Sequence, residues 1–161
     1  MKTLLALPFL LFASTLAAQD FQERPIEEFK ELDQFDSVET FEKYIDTYRQ
    51  DCLDASMGYS RGIRCFVEGQ LWDRELNTYY RLLQDELTDE QSDLLRSAQQ
   101  SWIETRNRTI LFNISLMDQK YDQIGTMDVL MRANDVSRTM GPIIKQRALL
   151  LRDWYLGLSD H

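Results

Sequence analysis

Residues 72–80, WDRELNTYY, and residues 97–106, SAQQSWIETR, decide the fold. Both stretches keep apolar residues at helical spacing. In the first, Trp72, Leu76, Tyr79, Tyr80 and Leu83 follow Phe66 and Leu71 along one stripe. In the second, Leu94, Leu95, Ala98, Trp102 and Ile103 do the same and lead on to Ile110, Leu111 and Ile114. Between them lies TDEQ, in which Thr88 is a helix N-cap and Gln91 its reciprocal capping-box residue. A connection this short forces the two helices into an antiparallel hairpin, in which facing residues have numbers summing to about 175.

Working outward, Phe41, Tyr44, Ile45 and Tyr48 mark a helix over residues 38 to 54. Asp36 or Ser37 is its cap, with Glu39 placed to complete a box from Asp36. Gly58 and Gly62 break the pattern between the cysteines. After the hairpin, Gly125-Thr126 opens a last helical region with Thr126 as N-cap, and Gly141-Pro142 predicts a kink or brief break within it. Leu149, Leu150, Leu151, Trp154 and Tyr155 close the core. No strand pattern or repeat appears. The expected fold is all-α, a bundle of about four helices with long antiparallel hairpins and one disulfide.

The chain opens with Lys2, an apolar run from Leu4 to Ala13, and a small-residue cleavage pattern that ends at Ala17 or Ala18. Residues 1–18 therefore read as a signal peptide, residues 19–35 as a flexible leader around Pro25, and residues 36–161 as a single helical domain. The apolar run is too short to span a bilayer. No cysteine follows the cleavage site to take a lipid, so the mature protein is expected in the periplasm or secreted. Without its signal it carries a net charge near −10, which argues against nucleic acid and anionic membrane and suits a basic protein partner. The same charge also serves plain solubility. Cys52 and Cys65 are expected to pair in an oxidising compartment, closing a loop worth about 3 kcal/mol in the chain-entropy picture. The only histidine is the terminal His161, so neither a metal nor a cofactor is expected.

The polar residues inside the two decisive stretches carry most of the functional information. Asp73, Asn77 and Tyr80 share one helix face, and Gln99, Trp102 and Arg106 share the one opposite. Two readings compete. In one, these groups form a network that fixes helix register, with Arg106 or the Trp102 indole satisfying a buried Asp73. In the other, they line a ligand pocket. No histidine or second convergent carboxylate is expected beside Asp73, so an enzyme is not expected.

At these residues the chain resembles the LprI-like family, the N-terminal domain of a lysozyme inhibitor. The resemblance rests on Asp73, Leu76, Asn77 and Tyr80, and then on Ala98, Gln99, Trp102, Ile103 and Arg106. Gly125-Thr126 and Arg147 follow in order. It runs from Cys52 to Trp154. Where family members often carry further cysteines, this chain has Arg108 and Ala133. The resemblance implies a small exported helical domain that binds, and inhibits, a basic hydrolase such as lysozyme. The loop Met57–Arg64, stapled by Cys52 and Cys65, is then the candidate contact, with Tyr59, Ser60 and Arg61 as the residues offered to a partner. An ordinary helix connection explains the same glycines. A periplasmic scaffold domain and a small-molecule-binding helical domain are the alternative functions.

Overall fold

The computed structural model describes residues 21–56, 60–121 and 125–159, with side chains at all of these except 60 and 61. The signal segment, Tyr59, and the side chains of Ser60 and Arg61 lie outside the described residues. Four α-helices follow one another: α1 Val38–Ser56, α2 Glu68–Glu86, α3 Asp89–Lys120 and α4 Thr126–Ser159. Short 3₁₀ segments cover Ile26–Glu28, Leu32–Gln34 and Ser60–Cys65. Among the described residues there is no strand, and no helix is long and apolar enough to cross a membrane.

Two helices start at side-chain caps, whereas Val67 ahead of α2 makes no side-chain cap bond. At α1 the cap is Ser37, whose Oγ accepts from the Thr40 amide at 3.2 Å, while Thr40 Oγ1 accepts from the Ser37 amide at 3.1 Å. The reciprocal pair is therefore Ser37 and Thr40, not Asp36 and Glu39. Thr88 and Gln91 form the capping box of α3 as its sequence predicts. Thr126 is the first helical residue of α4, and Gly125 supplies the carbonyl for the Val129 amide in the place expected of a Thr126 cap. The break expected at Gly141-Pro142 does not occur. Pro142 sits inside a continuous helix, on its exposed side, while Gly141 is buried. The Glu68 carboxylate packs 3.5 Å from where a Cβ on Gly141 would lie. Packing against α2 holds the turn where the missing proline N–H weakens it.

The core centres on α2. Phe41, Ile45, Tyr48 and Cys52 of α1 meet Leu71, Trp72, Leu76 and Tyr79 of α2, with Ala148 and Leu151 of α4 behind. The Trp72 indole is fully buried and edge-on to Phe41, their ring centroids 5.2 Å apart. Helices consecutive in the chain alternate in direction. Asp73 of α2 meets Arg106 of α3, so these two are antiparallel, as the short turn requires. Glu68 meets Gly141 and Tyr79 meets Tyr155, so α2 and α4 run parallel. The apolar stripe expected along α3 is only partly covered: Leu95 is buried, but Leu94, Leu111 and Ile114 are exposed, as are Leu150 and Trp154 on α4. The cysteines are joined, their Cα atoms 5.5 Å apart, tying α1 to the start of α2.

The residues expected to form a flexible leader are instead built into the core. Phe29 and Leu32 are buried, and the rings of Phe21 and Phe29 pack on Tyr48 at 5.3 and 4.7 Å. The cause is a pair within the first decisive stretch. Glu75 is 1% exposed, and its carboxylate accepts from Arg74 at 2.7 Å and from the Leu32 amide at 3.2 Å. The same guanidinium donates to the carbonyls of Ile26, Phe29 and Lys30. Three-residue turns have no helical periodicity, so their apolar residues carry no pattern for a sequence reading to find. Removing one partner of a buried pair leaves the other charge unsatisfied. Arg74→Ala is therefore expected to lower the unfolding free energy by about 3–5 kcal/mol in urea denaturation, and to expose residues 21–35 to limited proteolysis first.

Candidate functional site

The six network residues lie on facing helices as their spacing predicts, but five of them form two groups instead of one and Tyr80 bonds with neither. In the first, Asp73 receives Arg106 at 3.6 Å, and the Asn77 amide donates to the Asp73 backbone carbonyl at 2.8 Å and to its carboxylate at 3.2 Å. This group faces water: the Asp73 side chain is 45% exposed and Asn77 is exposed. The expectation of a buried Asp73 carboxylate is corrected here. The buried acid of this turn is Glu75, two positions along and on the core face.

The second group lies on the other side of Trp102. Arg147 of α4 is buried and donates through Nε to Gln99 Oε1 at 2.9 Å. Its guanidinium lies 5.9 Å from the Trp102 ring centroid and 5.7 Å from that of Trp154. Arg106 approaches Trp102 at 5.2 Å. The Trp102 ring therefore touches one arginine of its own helix and one of α4, and Arg106 extends the link to Asp73 of α2. Burial pushes the Arg147 pKa down from the ordinary guanidinium value, and neighbouring Tyr80 opposes the shift. Among the described residues Arg147 Nη2 has no hydrogen-bond partner. Tyr80 does not join Asp73 or Asn77. It accepts from Gln84, which in turn holds Ser92 across the hairpin turn.

These contacts join helices more than they surround a ligand. A groove of ≈ 580 Å³ beside the stapled loop takes Asp73 from the network, but not Asn77, Tyr80 or Arg106; its other walls include Ile63, Phe66, Val136, Met140 and Ile144. The loop base is firmly anchored. A Cβ on Gly62 would lie 3.0 Å from both Leu130 Cδ1 and Ser56 Oγ. Gly62 thus packs closely between α1 and α4, and a larger residue there would make those side chains give way. Arg64 pairs with Glu23 at 2.8 Å.

Two charged clusters escaped the sequence reading because their members are far apart in the chain. Glu42, Asp46, Arg49 and Glu68 surround a polar cavity of ≈ 260 Å³ over Trp72. Lys145 of α4 bonds Glu42 there. Burial raises the Glu68 pKa, which Arg49 opposes and Asp46 and Glu42 reinforce. At the far end of α3 and α4, Lys120, the Tyr121 hydroxyl and Arg138 converge on Asp135. The Lys120 and Tyr121 bonds hold its pKa at about 2, below the usual 3.8.

These geometries rank the residues by cost. Asp73→Asn should change stability by no more than about 1 kcal/mol, as for other half-exposed pairs. Arg147→Ala should cost more, about 1–3 kcal/mol, because Gln99 is left buried without its partner. Chemical denaturation of the two variants checks the order. A carboxylate with a depressed folded pKa stabilises above its unfolded value, and that contribution is lost as pH falls through the folded one. The stability difference between the wild type and Asp135→Asn should therefore shrink between pH 3.8 and about 2, as read from urea titrations across that range.

Comparison with known proteins adds one finding. Residues 43–146 match the family of the lysozyme inhibitor LprI. No curated protein and no solved structure matches. The matched span begins inside α1, takes in the disulfide and the α2–α3 hairpin with Asp73, Asn77, Gln99, Trp102 and Arg106, and ends one residue before Arg147. It covers well over half of the chain, and the protein belongs to the LprI lysozyme-inhibitor family.

Proposed function

We propose that this is an exported, non-enzymatic binding protein that inhibits a basic cell-wall hydrolase of the lysozyme type. The observation that carries the reading is the family match over residues 43–146. The net negative charge supports it, because an acidic surface accelerates encounter with a basic enzyme. So does the anchoring of the loop base, since tying the ends of a loop lowers its ordering cost on binding. In this reading Tyr59, Ser60 and Arg61 contact the enzyme. Glycosidases of this type work with a pair of carboxylates, and the Arg61 guanidinium is suited to bond one of them. The polar groups around Trp102 hold the helices that carry the loop.

The test is lysozyme activity on cell walls with increasing amounts of the mature, disulfide-intact protein, at low and at physiological salt. The expected result is stoichiometric inhibition at both, weakened by Tyr59→Ala and Arg61→Ala together. Inhibition confined to low salt would reduce the effect to charge attraction. Undiminished activity at every ratio would overturn the proposal.

A further inference from the structure

Two features at the α2–α3 turn oppose stability, and they lie side by side. Residues 85–93, DELTDEQSD, carry five acidic side chains and no basic one. Asp89 and Glu90, in the first turn of α3, complement that helix's dipole. Asp85 and Glu86 do the opposite: they stand at the negative end of α2, whose last turn has no basic residue. Among the described residues none of these four has an ion-pair partner.

The second feature is an apolar groove of ≈ 410 Å³ where the ends of α2, α3 and α4 meet, lined by Leu83, Leu87, Leu94, Leu95, Trp154 and Leu158. Leu94 is 67% exposed and Trp154 44%. Large apolar side chains left in water beside unpaired carboxylates break two local rules at one place. Among the described residues the Arg147 guanidinium packs on Trp154, but no ion pair offsets the carboxylates and Leu94 stays largely in water, which is the expected mark of a binding face.

We propose that this groove docks a basic protein, which inserts an apolar or aromatic side chain between Leu94 and Trp154 while its lysines and arginines face the Asp85–Asp93 rim. The proposal rests on the inhibitor reading only for the partner's identity, a lysozyme-type hydrolase. Charge selects the occupant. A second copy of the chain would bring two acidic rims together, whereas a cationic surface gains from the same rim. The groove and the stapled loop lie at opposite ends of α2, 19 residues long and so about 28 Å apart at the helical rise. Substitutions can therefore separate them.

Lysozyme and, in parallel, a synthetic amphipathic peptide of lysine and leucine are titrated into the isotope-labelled protein. Amide shifts, Kd at two salt concentrations and Tm are read for the wild type, for Leu94→Asp, and for Asp85→Asn with Glu86→Gln. Both substituted sites are exposed, so the variants should fold. Both probes are expected to shift Leu87, Leu94, Trp154 and Leu158. Leu94→Asp should weaken binding about tenfold or more. The double variant should lose several-fold in affinity at low salt while its Tm stays level or rises, a combination that a structural role for these acids would not produce. If lysozyme shifts only residues around the stapled loop, the inhibitor reading stands and the groove proposal fails. If lysozyme does not bind but the peptide fills the groove, the docking surface stands and the hydrolase reading fails. If neither probe shifts groove residues, the docking surface is wrong. Concentration-dependent self-association abolished by Leu94→Asp would give the groove to a second copy and also overturn the proposal.

Discussion

A carboxylate sealed inside the protein, Glu75, constrains everything around it. Taken out of water alone it would be untenable, so it requires Arg74 and the Leu32 amide. Arg74 also donates to carbonyls of the N-terminal segment, so the residues before α1 are drawn onto α2. Burial raises the Glu75 pKa, and the Arg74 bond works against that rise. The pair thus joins electrostatics to topology: the charge stays buried only while residues 26–32 remain in place. Phe29 and Leu32 then complete the core against Tyr48, which α1 alone would leave open.

Helix length sets the second constraint. α1 and α2 have 19 residues each, whereas α3 has 32 and α4 has 34. Side by side, the longer pair must extend beyond the shorter one. There α3 and α4 have only each other and, on α4, the stapled loop, too little to bury a full apolar face, and Leu111, Phe112, Leu116, Met127 and Met131 stay in water. Polar contacts hold that extension together: Asn113 with Thr139, Asp118 with Arg132, and Lys120 and Tyr121 with Asp135. At the other end, where α2, α3 and α4 terminate together, the mismatch leaves a groove instead of an arm. The polar groups around Trp102 lie between these two regions, where they bridge α2, α3 and α4.

The parts legible in the chain were those with a local cause. The Thr88–Gln91 box, the antiparallel hairpin it starts, the Cys52–Cys65 link and the meeting of Asp73 with Arg106 all depend on residues close in sequence or related by helical period. Illegible were features whose cause is distant. Nothing in FQERPIEEFKELDQF distinguishes a mobile leader from a docked one until Arg74 is placed beside it. The joining of Gln99 to Arg147 spans 48 residues, and periodicity does not say which helix neighbours which. Asp73 looked buried because it adjoins the apolar stripe, and two positions along the helix were enough to leave it half in water while Glu75 took the interior.

By itself, then, the sequence determined helix number and most helix ends, the hairpin and the family, because period, caps and turn length act over a few residues. The tertiary structure decided which polar groups are buried, how α3 is covered, and where apolar side chains remain exposed. Those outcomes depend on which helices become neighbours and how far each outruns the others, and no local pattern of residues encodes either.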